Sequence, residues 1–385
     1  MDPFAPGRLG PITLRNRIVK AATFEGLTRD HQVNDRLVEF HRKMAAGGVG
    51  MTTLAFCAVA PDGCATPNEL VLTPELVPGL ARLAEAVHAE GAAVNVQLGH
   101  AGAVAAGTGI KALSPSPVFS PLAMRRTRAV TGGEIERIIA DFGRAAALAA
   151  EAGFDAVEVH LGHGYLPSEF LSPRLNRRSD DWGGSPENRS RFPRAVVAAA
   201  REAVGDRLAV LVKLNMADGV RGGLWLDESL AFARLLAADG TVDAIELTAG
   251  SSLQNPMYLF RGEAPVAEMA RAMPKAVRPA FRVAGKAFLK EYPFEEAFLR
   301  PYARQFLAAL DVPIILLGGI NRLDTVRDAL DEGFAFVALG RALLREPDLA
   351  SRWQAGHEGE SLCVHCNKCM ATIYRGTRCV LVEDG

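Results

Sequence analysis

The sequence predicts one α/β domain of the (β/α)8 barrel class, on three observations. Short apolar runs rich in β-branched residues alternate eight times with helix-length amphipathic segments. Several of those segments end in a glycine that leads directly into the next apolar run, as helices do before parallel strands. A length of 385 residues with 49% hydrophobic content also suits a barrel with insertions. A doubly wound open sheet is the alternative, but no G-x-G-x-x-G follows the first predicted strand.

The predicted strands follow one another through the chain. They cover residues 18–22, 51–55, 93–98, 156–160, 208–214, 244–248, 313–317 and 336–339. Segment 134–152 illustrates the helices between them, because its apolar residues recur with the spacing of one buried helical face. The glycines predicted to close such helices are Gly47, Gly48, Gly91, Gly153, Gly240 and Gly333.

A long interval follows the sixth strand and is predicted to be an insertion at about 251–309. It is aromatic, and its place in a βα connection would put it over the face where barrel active sites lie. A helical hairpin packed on the barrel wall is an equal alternative. Since basic residues alternate with apolar ones here, contact with a lipid surface is a third reading. The barrel is assigned to 1–355 and a cysteine-rich segment to 356–385.

Charge and hydropathy exclude some classes of partner. The formal net charge is −1 and the sequence pI is about 6.7, so no broad basic field exists to hold a nucleic acid or an acidic membrane. The first residues lack the pattern of a secretory signal, and no apolar run reaches membrane-spanning length. We therefore expect a cytoplasmic protein that acts on small molecules.

The densest motif begins at the fourth predicted strand. It reads His160-Leu-Gly-His163-Gly-Tyr165-Leu, and Gly183-Gly-Ser-Pro-Glu-Asn-Arg189 follows in a loop. These runs resemble the Old Yellow Enzyme / NADH:flavin oxidoreductase family, and the resemblance extends over the chain. It implies a TIM barrel that binds FMN, uses NAD(P)H as cosubstrate and reduces electron-poor alkenes. Family members often form dimers, so the resemblance also suggests a homo-oligomer.

The catalytic residues implied are His160, His163 and Tyr165. If the chain turns helically after the fourth strand, both imidazoles share one face and can donate to one substrate oxygen that gains negative charge. Tyr165 would protonate the alkene carbon. For an isolated His-x-x-His, a zinc site or ordinary capping would be the more common explanation.

The resemblance also identifies residues for the flavin ring. Gln97 and Lys213 are polar residues near the ends of apolar strands, where Lys213 would stabilise the negative charge that reduction places on the flavin. The family usually has arginine at that position, and a solvated strand end is the alternative. Contacts from the first two strand ends are assigned to Ala22, Thr23 and Phe56.

For the FMN phosphate, the ends of strands seven and eight carry glycines. Barrels place phosphates at this pair of loops, where glycine lets backbone N–H groups approach the anion. The residues assigned here are Gly318, Gly319, Gly340 and Arg341.

The C-terminal segment carries four closely spaced cysteines, Cys363, Cys366, Cys369 and Cys379. They resemble the iron–sulfur segment of the longer branch of the family, which includes 2,4-dienoyl-CoA reductases, although we expect this chain to lack that branch's FAD and NAD domains. A [4Fe–4S] cluster, zinc, or free thiols all remain open.

The leading function is an NAD(P)H-dependent ene-reductase that uses FMN. A flavin oxidase, a demethylase or an enzyme like dienoyl-CoA reductase is the alternative that the cysteine segment favours. A non-enzymatic flavin or metal redox sensor is the third, and it leaves the proton donor Tyr165 unexplained.

Overall fold

A computed structural model describes residues 1–106, 109–273, 275–357 and 359–382. Eight parallel strands close into a barrel, since the first strand pairs with both the second and the eighth. The strands are β1 (Ile18–Lys20), β2 (Met51–Ala58), β3 (Ala93–Gly99), β4 (Ala156–Leu161), β5 (Ala209–Asn215), β6 (Ala244–Thr248), β7 (Ile314–Leu317) and β8 (Phe336–Leu339). The predicted barrel is confirmed, and the open sheet is excluded.

Helices connect the strands on the outside. The helices are Asp35–Ala46, Val77–Ala89, Gly132–Glu151, Leu166–Leu171, Pro186–Val204, Leu226–Ala238, Met257–Phe260, Val266–Ala272, Arg278–Phe288, Arg300–Leu307, Leu323–Asp331, Arg341–Arg345 and Leu349–Gln354. Short strands outside the barrel are Gly7–Leu9, Ile12–Leu14, Leu70–Val71, Leu113–Ser114, Phe119–Ser120, Arg125–Arg126 and Arg128–Ala129. Ser185 caps the helix at 186–204 as its position before Pro186 suggests, because its side chain accepts the Asn188 N–H at 3.2 Å.

The barrel interior has an apolar end and a polar end. Near the N-terminal ends of the strands, Ala156, Leu211 and Ile315 form an apolar cluster that includes Leu9 and Leu14 of the N-terminal hairpin. Closer to the C-terminal ends the interior carries buried charged and amide side chains: Lys20, Gln97, Glu158, Lys213 and Glu246. The sequence therefore builds a closed floor and a polar mouth, and the polar mouth is where barrel active sites lie.

The insertion after β6 is a helical hairpin. Its helices Val266–Ala272 and Arg278–Phe288 pack on each other through Val266, Phe281 and Gly285. The range predicted from the sequence is too long, because Arg300–Leu307 is the sixth barrel helix and buries Ala303 and Phe306 in the barrel wall. Residue 274, within the predicted range, lies outside the described residues.

The cysteine-rich segment lies across the C-terminal face of the barrel, with residues 358 and 383–385 outside the description. Thr377 binds the loop after β1, donating from its N–H to Glu25 O at 2.6 Å and from its hydroxyl to Phe24 O at 2.5 Å. Met370 packs in the same cluster as the insertion hairpin. The segment thus connects the first barrel loop to the insertion. Within the described ranges, no helix combines the length and the apolar character that a membrane span requires.

Candidate active site

The two histidines after β4 form a hydrogen-bonded chain. The Gly162 N–H donates to His160 Nδ1 at 3.1 Å, so the proton of a neutral His160 is on Nε2. That nitrogen lies 3.1 Å from His163 Nδ1, and His163 Nε2 lies 2.8 Å from the Thr248 hydroxyl. Each imidazole therefore donates through Nε2, His160 to His163 and His163 to Thr248.

Both rings are uncharged near neutral pH. Burial lowers the pKa of His163 to about 3, with Lys213 as a further cause. Burial and the neighbouring His163 lower the pKa of His160 well below its usual value. The expectation that both rings donate to one substrate oxygen differs from this arrangement, because each Nε2–H already has an acceptor. Sequence reasoning missed Thr248, which is 85 residues from His163 in the chain.

Tyr165 lies in an aromatic group at the mouth. Its ring stacks on Phe56 with centroids 4.9 Å apart and lies 4.6 Å from the His160 ring. Ala22 packs in the same apolar cluster. The structure thus brings together Ala22, Phe56, His160 and Tyr165, which the sequence placed on three different strands. Burial raises the pKa of Tyr165, and the Glu69 carboxylate raises it further, so the phenol holds its proton.

Glu69 is a buried carboxyl that the sequence analysis did not identify. Its carboxylate accepts the Ala65 N–H at 2.5 Å, and its side chain forms no salt bridge with any described residue. Burial raises the pKa of Glu69 to about 8 in spite of the backbone hydrogen bonds that lower it.

A buried ion pair is formed by Lys20 and Glu25. Lys20 Nζ is 3.2 Å from the Glu25 carboxylate, and that carboxylate also accepts the Ala55 N–H.

The Lys213 ammonium is charged but already paired with carboxylates inside the barrel. Its ammonium forms an ion pair with Glu246 and lies 3.3 Å from Glu158, and Gln97 donates to Glu158 at 2.5 Å. Burial alone would lower the pKa of Lys213, but the two carboxylates outweigh it and raise that pKa above its usual value. Burial raises the pKa of Glu158 to about 7. Glu158 and Glu246 could have been identified from the sequence, because each is a carboxyl residue within an otherwise apolar strand, just as Lys213 is a lysine within one.

Several features fit FMN at this mouth. The Thr23 hydroxyl is buried without a hydrogen-bond partner, and Thr23 lies beside Gly340, where a Cβ would be 3.6 Å from its methyl group. The ladder between β2 and β3 is interrupted between Leu54 and Cys57. At this interruption the Ala55 N–H is already donated to Glu25, and the next residue is Phe56, which the sequence analysis assigned to the flavin.

The predicted phosphate loops lie at the ends of β7 and β8. Gly318 and Gly319 have φ angles of +118° and +69°, and a Cβ at Gly319 would be 2.6 Å from the Phe298 ring. Arg341 begins the short helix after Gly340. Its guanidinium donates to the Asn367 side chain and, at 3.2 Å, to the Arg261 carbonyl. Thr23, the three glycines and Arg341 are therefore the residues that would hold FMN here.

The four C-terminal cysteines line one small cavity together with Arg341 and His365. None forms a disulfide, and burial raises the pKa of Cys369 to about 11 although Arg341 opposes it. His365, in the wall of the same cavity, stacks on Phe294 and bonds to the Asn321 amide. In the part of the chain that the structure describes, no three His, Cys, Asp or Glu side chains are arranged to hold a metal ion. Metal binding by these cysteines stays a prediction.

Comparison with known proteins identifies the family. The model described as the NADH:flavin oxidoreductase / NADH oxidase family matches residues 2–255. A "4,4'-dithiodibutanoate disulfide reductase" of Rhodococcus erythropolis is 54% identical over 380 residues, covering 98% of this chain and 94% of the relative. A "metal reductase" of Desulforamulus reducens is 34% identical over 377 residues, covering 97% of this chain. The chain spans 52% of the length of that second relative.

Solved structures agree on the fold. Morphinone reductase in complex with tetrahydroNAD has a TM-score of 0.71 at 25% identity and covers 92% of this chain and 91% of its own. A 2-naphthoyl-CoA reductase complex has a TM-score of 0.79 at 24% identity, with 97% of this chain and 58% of the other covered. At such identities the likeness establishes the barrel architecture.

Proposed function

The chain belongs to the NADH:flavin oxidoreductase / NADH oxidase family, and we propose that it catalyses the reduction of alkenes conjugated to a carbonyl group by NAD(P)H, with Tyr165 as proton donor. The family is FMN-dependent and takes NAD(P)H as cosubstrate. FMN, when bound, accepts a hydride from NAD(P)H and delivers it to the acceptor. The observation that carries the proposal is the position of Tyr165, whose half-buried ring lies between Phe56 and His160.

Tyr165 suits the protonation of carbon. Hydride addition to one alkene carbon leaves an enolate whose other carbon is a strong base, so a phenol with a raised pKa can still donate to it. The stacking partners fix the orientation of the ring before substrate arrives, which lowers the entropy cost of the transfer. The apolar cluster of Ala22, Phe56 and Tyr165 would exclude water from the enolate.

His163 would bind the carbonyl oxygen as a neutral donor, and His160 would act through its own hydrogen bond to His163. In the structure His163 Nε2–H is donated to Thr248, so a substrate oxygen would replace the Thr248 hydroxyl as acceptor. A neutral imidazole stabilises the enolate oxygen without giving up its proton, because the pKa of His163 is lowered by burial. The hydrogen bond from His160 supports the donor role of His163.

A second candidate acceptor is a small organic disulfide that carries carboxylates. It is favoured by the 54% identity to the Rhodococcus disulfide reductase across nearly both whole chains. In this reaction one sulfur takes the hydride, the S–S bond breaks, and the other sulfur leaves as a thiolate that takes a proton. A thiolate has a conjugate-acid pKa of about 8.5, so water can protonate it without Tyr165.

The experiment that tests the proposal compares the two acceptors under anaerobic conditions. Holoenzyme is reduced with NADH or NADPH and mixed with cyclohexenone or with 4,4'-dithiodibutanoate while the flavin spectrum is recorded. If alkenes are substrates, cyclohexenone reoxidises the flavin, and Tyr165→Phe slows this step by about a hundredfold or more while reduction by NAD(P)H is unchanged.

The same variant separates the two candidates. Reoxidation by the disulfide at an equal rate in wild type and Tyr165→Phe, without reoxidation by the enone, would replace the alkene proposal with the disulfide one. A protein that cannot be loaded with FMN would contradict both.

A further inference from the structure

Arg261 is held in an aromatic cage at the mouth of the barrel. Its guanidinium carbon is 4.9 Å from the Phe298 ring centroid, 5.5 Å from Tyr258 and 5.9 Å from Tyr292. These distances allow cation–π attraction to each ring. The residue follows the helix Met257–Phe260 with a φ of +43°, a positive value that is uncommon for arginine. The side chain is thus fixed in place by packing on several sides.

The Arg261 charge has no counter-ion in the described chain. No described carboxylate lies within 4.0 Å of its guanidinium, and its Nε is buried without a hydrogen-bond partner. Arg189 is a contrasting case in the barrel, because it donates to two carbonyls and to Glu228. An unsatisfied N–H on a charged group is energetically unfavourable, so the site favours an external acceptor.

The position of Arg261 connects it to both predicted phosphate loops. Phe298, the nearest ring of the cage, packs against Gly319 at the end of β7. The Arg261 carbonyl accepts a hydrogen bond from Arg341, the residue after Gly340 at the end of β8. Arg341 is partly used by this bond and by its bond to Asn367, so it offers fewer donors to an anion than the sequence suggests.

We propose that Arg261 is an anion-binding residue that receives the phosphate of FMN. The donor comes from the segment after β6 and would act beside the backbone of Gly319 and Gly340. A guanidinium matches phosphate oxygens in charge and in geometry, and the aromatic cage limits the entropy lost on binding. The proposal rests on the FMN dependence of the family and is independent of which acceptor the enzyme reduces.

A carboxylate of the substrate shares the same chemistry, and the test separates the two sources. Full-length protein stripped of flavin is titrated with FMN and with riboflavin, which lacks the phosphate, and flavin fluorescence is followed. The variants are Arg261→Met, which keeps the apolar stem, Arg261→Lys, which keeps the charge, and Arg282→Ala, an exposed arginine of the insertion hairpin, as control.

We expect Arg261→Met to weaken FMN binding by about tenfold or more and to leave riboflavin binding within about twofold of wild type. Arg261→Lys should fall between, and Arg282→Ala should match wild type. An equal loss for both flavins, or no loss for FMN, overturns the proposal. So does a raised KM for 4,4'-dithiodibutanoate with unchanged FMN affinity, which would assign Arg261 to a substrate carboxylate instead.

Discussion

At the scale of single residues, the imidazole chain determines how the site responds to pH. His163 has a pKa lowered to about 3 by burial, and that of His160 is also far below its usual value. The two rings therefore stay neutral over the range where an exposed histidine would titrate.

This neutrality predicts a flat pH profile for flavin reoxidation. From about pH 5 to about pH 7, the rate with an alkene acceptor should show no inflection near the ordinary histidine pKa of about 6.5. Stopped-flow reoxidation across that range checks it. A rise or fall of tenfold centred near the ordinary value would mean that one ring is charged in the working enzyme.

Glu69 makes stability depend on pH in the opposite sense to an ordinary salt-bridged acid. Burial raises the pKa of Glu69 from 4.5 to about 8. The folded protein therefore binds a proton there that the unfolded chain has released, and its contribution to stability is full below 4.5 and is lost as pH rises through 8.

Glu69→Gln should remove this dependence, because glutamine does not ionise. Relative to the variant, wild type should lose roughly 1 kcal/mol of unfolding free energy per pH unit across that window. Urea unfolding of both proteins at several pH values measures the difference. Parallel stability curves would show that Glu69 is ionised in the folded state.

Residue types and their strand positions were predictable, whereas the directions of hydrogen bonds were not. The spacing of His160, His163 and Tyr165 placed them together at the mouth of the barrel, as the structure has them. The direction of their hydrogen bonds depends on the Gly162 N–H, which binds His160 Nδ1, and the last acceptor is Thr248, on another strand. Lys213 was recognised as a buried charge, but its partner Glu246 is the residue directly opposite on β6, and register between strands cannot be read from one strand alone.

At the scale of elements, the C-terminal segment acts as a strap over the barrel mouth. Asn367 is its main attachment: its amide donates to the carbonyls of Arg261 and Glu263 at 2.9 Å each, and its oxygen accepts from Arg341. Asn367 is buried and has a φ of +54°, a conformation that asparagine tolerates better than most residues.

Asn367→Ala should release this strap. Loss of the hydrogen bonds should lower the free energy of local opening by about 2–4 kcal/mol. Hydrogen exchange of the amides in residues 361–377 measures it. Val364→Ala, in the same segment but 65% exposed, is the matched control and should change little. Unchanged exchange in Asn367→Ala would show that Thr377 and Met370 hold the segment without it.

The apolar pattern predicted where the strands lie, but it did not show which helices belong to the barrel and which to the insertion. All eight strands were predicted within a few residues, because buried parallel strands are continuous apolar runs. The insertion was predicted to reach residue 309, which included the barrel's own helix Arg300–Leu307. That helix begins two residues after Phe298, so the aromatic content that marked the insertion continues up to it, although Pro301 in its first turn is a helix-start signal.

At the scale of the whole molecule, the apolar core and the candidate active site lie at opposite ends of the barrel interior. The floor is apolar and closed by the N-terminal hairpin, whereas the upper interior holds Lys213 between Glu158 and Glu246. Such a buried triad costs desolvation energy that its internal attraction only partly recovers. Its value lies in a fixed polar layer directly below the candidate active site, where Gln97 is held by Glu158.

The triad predicts a large loss when its cation is removed. Lys213→Met leaves two buried carboxyls facing each other, which should cost about 3–5 kcal/mol of unfolding free energy near neutral pH. The loss should shrink as pH falls, because a protonated Glu158 can donate to Glu246; without Lys213, which lowers the pKa of Glu158, that pKa rises above the value of about 7 that it has in the wild type. Adding Glu158→Gln and Glu246→Gln to Lys213→Met should recover part of the stability at neutral pH, since no unpaired charge then remains. Urea unfolding of the single and triple variants at about pH 5 and about pH 8.5 tests both statements. If the single variant were equally destabilised at both pH values and the triple variant no better, the cost would come from lost packing of the lysine stem rather than from uncompensated charge.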